Sequence, residues 1–139
     1  MLVLDTDHIS LLGESSAVGL RLLTRLRDAQ EEVVTTAITV EESLQGWLQF
    51  ISRSKSPQQL VQGYERLVKR VEFFADWTTL NWDEECSQLF SRMRSSGVRI
   101  GTHDLRIASI VLKHDATLLT RNAIDFGRVP NLKFDNWLD

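Results

Sequence analysis

The chain has 139 residues, 42% hydrophobic and 25% charged, a balance that suits one domain with a single core. A lone cysteine, Cys86, excludes an internal disulfide, and no apolar run reaches the ~18 residues of a membrane span. The net charge of −3 argues against holding nucleic acid by overall charge, and MLVLDTDHIS lacks the basic start and long apolar stretch of a secretory signal, so a reducing cytoplasm is expected.

Leu2, Val3 and Leu4 form an apolar run closed by Asp5, the pattern of a buried strand over 1–5, with Asp7 as the cap of the following turn. Gly13 to Ser16 read as a loop. A helix follows from Ser16 to about Ala29, with Val18, Leu22, Leu26 and Ala29 on one stripe. Val33 to Thr36 are β-branched and predict a second strand. The next helix runs from about Ile38 to Ser52, with Leu44, Trp47, Leu48 and Ile51 at core spacing. Pro57 sits near the first turn of a helix carrying Leu60, Val61, Tyr64, Leu67, Val68 and Val71. A short strand is predicted near Thr78 to Leu80. A helix then opens at Asn81 or Trp82, has Cys86, Leu89, Phe90 and Met93 on its apolar face, and stops at Gly97. Another enters at Thr102, with Leu105, Ala108, Ile110 and Leu112 partly buried. Thr117 to Thr120 is a strand of the buried type, and Lys133 to Trp137 an edge strand. Strands and helices alternate, so the expected class is α/β: one domain over 1–139, with a mainly parallel central sheet flanked by helices.

In such sheets ligands collect at the carboxyl ends of strands. Asp5 closes the first strand, Asn122 follows the TLLT strand by two residues, and Asp104 lies in the first turn of a helix. Taken singly, each acid has a structural explanation: Asp5 as a turn cap, Asp104 as a charge complementing the helix dipole, Asp125 as the cap of the short turn before Phe126. Converging carboxylates without basic partners, however, repel one another unless a cation sits among them, and hard carboxylate oxygens suit Mg²⁺ or Mn²⁺. Glu41 and Glu42 compete for a place in this set. Helical periodicity puts Glu41 beside the Leu44, Leu48 stripe and Glu42 on the solvated side, with Gly46 one turn further on that face. A glycine there admits close approach of substrate or of another backbone, which is the argument for Glu42.

LDTDHIS, ITVEESLQG, GTHDLRIAS and ATLLTRNAIDFGRVPNLKFDNW, in this order and spanning essentially the whole chain, resemble the motifs of the PIN-domain family, and within it the VapC-like toxins. In the second motif a glutamate precedes a glycine by four residues, so the resemblance selects Glu42. It implies a PIN fold and a Mg²⁺- or Mn²⁺-dependent endoribonuclease with Asp5, Glu42 and Asp104 as both catalytic and metal-holding acids. The fourth acidic position of many members falls on Asn122, which supplies no charge, with Asp125 as a residue that could compensate and Thr6 as a further accessory. The expected reaction is attack of a metal-activated water on phosphorus, with Asp104 or Glu42 orienting the water. The resemblance further implies an RNA substrate (tRNA or rRNA as candidates), a cognate antitoxin and a homodimer. Two other readings stand beside it: a PIN nuclease of RNA processing, and a PIN-like binding module that has lost turnover.

His8, His103 and His114 lack the partner spacing of a metal site, and Cys86 reads as core. Ser10 reads as a turn hydrogen-bonder and Trp47 as core. The basic clusters at Arg21, Arg25 and Arg27, at Lys69 and Arg70, and at Arg92, Arg94 and Arg99 read as solvated helix faces.

Overall fold

The computed structural model describes residues 1–139. Five strands, β1 (Leu2–Leu4), β2 (Val33–Thr36), β3 (Thr79–Leu80), β4 (Thr117–Leu119) and β5 (Lys133–Asp135), form one sheet in the order β3-β2-β1-β4-β5. Every neighbouring pair is parallel, with Val3 beside Val34 on one side and Leu118 on the other. The expected parallel α/β sheet is therefore present. The chain winds outward from β1 through β2 to β3, then returns to add β4 and β5 on the opposite side of β1. The winding reverses between β1 and β4, and a crevice opens there at the carboxyl ends of the strands.

The helices are α1 (Thr6–Leu12), α2 (Ala17–Ala29), α3 (Ala37–Arg53), α4 (Pro57–Ala75), α5 (Glu84–Ser95), α6 (Thr102–Lys113) and α7 (Ala123–Phe126). Alternation along the strands divides the core. Val3, Val34 and Leu118 face Leu105, Ile107 and Val111 of α6 and Cys86 and Met93 of α5. Leu2, Leu4 and Leu119 face Ile9, Leu22, Leu26 and Phe74 on the other side. Each fully buried Leu or Ile contributes about 1.5–3 kcal/mol, so these two layers clamp the sheet between helices. Two caps leave no linker between strand and helix. The Thr36 hydroxyl, at the last residue of β2, accepts from the Thr39 N–H and starts α3 at once. The Asp5 carboxylate accepts from the Thr6 N–H and starts α1 directly after β1.

Three expectations are corrected. Asp7 does not cap a turn: α1 begins at Thr6, Asp5 is its cap, and Asp7 lies inside the first turn. Asp125 is likewise not a cap, because Asn122 caps the one-turn α7 by accepting from the Asp125 N–H. Leu48 is 53% exposed rather than core, and Trp47 is half-buried. Val61, Tyr64, Val68 and Val71 of α4 also face outward. Both exposed faces share a cause. α3 and α4 pair as a hairpin around Gly63, where a Cβ would sit 2.7 Å from Ile51 Cγ1. The two helices pack on each other along that seam, while Ile38 and Phe74 enter the core and Leu48, Val61, Tyr64, Val68 and Val71 stay in water.

Candidate active site

The carboxyl ends of β1 and β4 bring together two ends of the sequence. Asp5 is only 7% exposed. Its Oδ1 accepts from the Thr6 N–H at 2.8 Å, and its Oδ2 accepts from the buried Thr120 hydroxyl at 2.8 Å. Burial pushes the Asp5 carboxyl up from 3.8 to about 6, and the charges of Asp7 and Asp104 push the same way, against the two hydrogen bonds. Thr120 also fixes the loop that follows β4, because its oxygen accepts from the Asn122 N–H at 3.1 Å.

Glu42 enters from α3, one and a half turns after the Thr36 cap, and Asp104 from the first turn of α6. Both are half-buried. Burial raises the Glu42 carboxyl, helped by the charges of Asp5 and Asp104 and opposed by His103. Burial likewise raises Asp104, helped by Asp125 and opposed by its hydrogen bond from Asn122. The three acids therefore share one electrostatic environment, and no lysine or arginine figures among the groups that set their charge. They stand apart rather than touching: no three Asp, Glu, His or Cys side chains close into a cage. Around them, Asn122 Nδ2 donates to Asp104 Oδ2 at 3.0 Å and to Asp125 Oδ2 at 3.1 Å. The amide thus sits between two carboxylates that would otherwise repel, and Asp125 belongs to this acidic cluster.

Two buried oxygens here have no hydrogen-bond partner, Thr6 Oγ1 and Glu42 Oε1. An unpaired buried polar atom costs about 1–3 kcal/mol, and two of them beside crowded carboxylates mark a place built for another oxygen-seeking group. All the donors are hard oxygens, which fits a Mg²⁺- or Mn²⁺-type ion and not a thiophilic one.

No protein-family model matches the chain. It is 31% identical over 91 residues to "Ribonuclease VapC2" of Rickettsia felis, a stretch covering 63% of this chain and 63% of that protein. The match thus spans less than two thirds of that relative's length. Among solved structures, VapBC-1 from nontypeable Haemophilus influenzae superposes with a TM-score of 0.75 at 21% identity, covering 99% of this chain and 98% of that one. FitAcB from Neisseria gonorrhoeae gives 0.70 at 26% identity, covering 99% and 98%. VapBC2 from Rickettsia felis, bound to a promoter DNA fragment, gives 0.70 at 24% identity, covering 98% of each. The chain has a VapC-like PIN fold.

Within this VapC-like fold the acids marked in the sequence converge from segments far apart in the chain. Glu42 points inward despite the periodicity that placed it in solvent, and Glu41 instead meets His103 Nε2 at 3.2 Å on the exposed side. Gly46 admits no second backbone, for a Cβ there would meet nothing within 4 Å, so the space above it is open to solvent. Ser10 bonds only weakly within the helix, to the Asp7 carbonyl at 3.5 Å. Two residues that sequence reasoning passed over, Asp7 and His8, lie at the rim of the site. His8 is fully buried, its Nδ1 lies 2.6 Å from Asp7 Oδ1, and its Nε2 accepts from the Trp137 N–H at 3.1 Å. Nothing local marks them, because the partner of His8 lies 129 residues away.

Proposed function

We propose that this chain, acting as one PIN domain over residues 1–139, is a Mg²⁺- or Mn²⁺-dependent endoribonuclease and the toxin of a toxin–antitoxin pair. The observation that carries this reading is the set Asp5, Glu42 and Asp104. These three carboxylates come from separate elements, each raised by burial and by its acidic neighbours, with no lysine or arginine among the groups that set their charge. Asp5, Glu42 and Asp104 would hold the ion, with Thr6 Oγ1 as an accessory oxygen. When bound, such an ion supplies a water of lowered pKa and stabilises charge on the phosphate oxygens.

The protein's own residues divide the remaining work. The Thr120 hydroxyl and the Thr6 N–H hold both oxygens of Asp5, so its position is set before substrate arrives. Asn122 occupies one oxygen of Asp104 and keeps it away from Asp125. Glu42 Oε1 has no protein partner, so it is the oxygen free to orient a water and take up its proton. Burial and the neighbouring acids raise the Glu42 carboxyl, which makes it a stronger base than a free glutamate. Asn122 therefore acts as a spacer between acids rather than as a lost ligand, which supports turnover over an inactive module. The named relatives, a ribonuclease and VapBC complexes, support an RNA substrate and an antitoxin partner; a homodimer and a cytoplasmic setting belong to the same proposal. No helix is long and apolar enough to cross a membrane.

The test is cleavage of pooled tRNA and rRNA by the purified chain in Mn²⁺ or Mg²⁺, beside EDTA and the Asp104→Asn variant. Discrete products that vanish in both controls are expected. A folded, antitoxin-free protein that cuts nothing in either ion would remove the nuclease reading.

A further inference from the structure

We infer that Asp7 and His8 are positioning residues, forming a buried relay that ties the backbone of the C-terminal tail to the loop holding Asp5 and Asp104 in place. The tail fixes the tautomer of His8. A backbone N–H can only donate, so the Trp137 N–H at 3.1 Å requires a lone pair on His8 Nε2. The ring proton must then sit on Nδ1, where it is donated to Asp7 Oδ1 at 2.6 Å. The other Asp7 oxygen accepts from the Arg121 N–H at 2.9 Å and lies 3.5 Å from the Thr120 hydroxyl. That hydroxyl gives its proton to the nearer acceptor, Asp5 Oδ2, at 2.8 Å. Arg121 stands between Thr120, which holds Asp5, and Asn122, which holds Asp104.

The tail is anchored independently. The Trp137 indole stacks under the Arg25 guanidinium at 4.3 Å, its Nε1 donates to Asp135 Oδ2 at 2.9 Å, and Leu138 is buried in the layer beneath α1 and α2. Asp7 is thus a pure acceptor with both oxygens engaged by protein donors, one from each side of the relay. A carboxylate is needed there because an amide in its place would turn one N–H toward another N–H. The Asp7 side chain is 29% exposed, so a residue serving only the packing of α1 would tolerate asparagine. The consequence for metal binding rests on the nuclease reading. The relay itself does not.

The experiment has an ion-free arm and an ion-loaded arm, both on the full chain. Without ion or RNA, long-range ¹H–¹⁵N spectra of ¹⁵N-histidine-labelled protein are expected to show His8 as the Nδ1–H tautomer. In Asp7→Asn, exchange of the Arg121 amide should speed up by about tenfold or more, because its acceptor is lost. An Nε2–H tautomer, or an Arg121 amide unchanged in Asp7→Asn, would overturn the relay. With ion, Asp7→Asn should weaken Mn²⁺ binding by calorimetry about 10–100-fold and lower kcat, with KM for RNA moving by less than about threefold. His8→Asn, whose amide can still donate to Asp7, should lose less than Asp7→Asn. Mn²⁺ affinity and kcat at the wild-type level in Asp7→Asn would remove the positioning role. If the wild-type chain neither binds Mn²⁺ nor cuts RNA, the nuclease reading falls, and the ion-free arm still decides the relay.

Discussion

Asparagine at position 5 isolates the cost of burying that charge. The Asp5 carboxyl is pushed up from 3.8 to about 6, so the folded chain binds this proton more tightly than the unfolded chain does. The sign follows: the ion-free protein is most stable below about pH 4 at this site, and loses that stability as pH rises through about 6. A shift of this size corresponds to on the order of 2–3 kcal/mol at pH 7. Asp5→Asn should therefore raise the Tm of the ion-free chain at pH 7 by several degrees, flatten its pH dependence between pH 4 and 7, and abolish cleavage. Scanning calorimetry at pH 5 and pH 7 checks it, and a variant less stable than wild type at pH 7 would contradict it. The same residues show how far the sequence could be read. Asp5 and Asp104 stood out because each sits beside an apolar element whose end was visible. Glu42 ran against its own helix periodicity, since what buries it is the approach of Asp5 and Asp104 from elsewhere, and the motif resemblance had to select it. Asp7 and His8 were illegible, because their meaning depends on a backbone N–H far along the chain.

Among the elements, two glycines predict opposite responses to an added side chain. At Gly63 an added Cβ meets Ile51 at 2.7 Å and Phe50 at 3.1 Å, so Gly63→Val should destabilise the α3–α4 hairpin by about 1–3 kcal/mol despite the gain in backbone entropy. At Gly46, on the exposed side of α3, nothing lies within 4 Å, so Gly46→Ala should stabilise by about 0.5–1 kcal/mol. Chemical denaturation of both variants measures the difference, and equal signs would mean that α3 and α4 do not pack along this seam. If RNA passes over Gly46 beside Glu42, Gly46→Ala will also raise KM while stability improves. Helix and strand order was visible in the alternating periodicities, and Ser16 caps α2 where its start was expected, whereas α5 starts after the Asp83 cap, just beyond the expected Asn81 or Trp82. The first helix was missed because Asp5 both ends a strand and starts a helix, leaving no punctuation between them. Apolar stripes showed which helix faces avoid water, but not which of them find a partner inside the chain.

At the scale of the whole molecule, the outward stripe of Val61, Tyr64, Val68 and Val71 is the largest run of apolar side chains left in water on one helix. The isolated chain should therefore associate as its concentration rises. Val61→Lys combined with Val68→Glu should lower the apparent mass by light scattering without lowering Tm, since neither residue packs against the core. An unchanged mass would place self-association elsewhere. The parallel sheet itself has a consequence in time. The Thr120–Asp5 hydrogen bond joins residues 115 positions apart, and β1 meets β4 across the same span. Contacts so distant in sequence form late and slowly, after the long intervening loop has closed. A half-folded molecule thus holds its acids on disconnected pieces and is chemically inert. On the proposed nuclease reading, cutting power would arrive only with that final docking, and a cell making such a chain would have an interval in which to capture it.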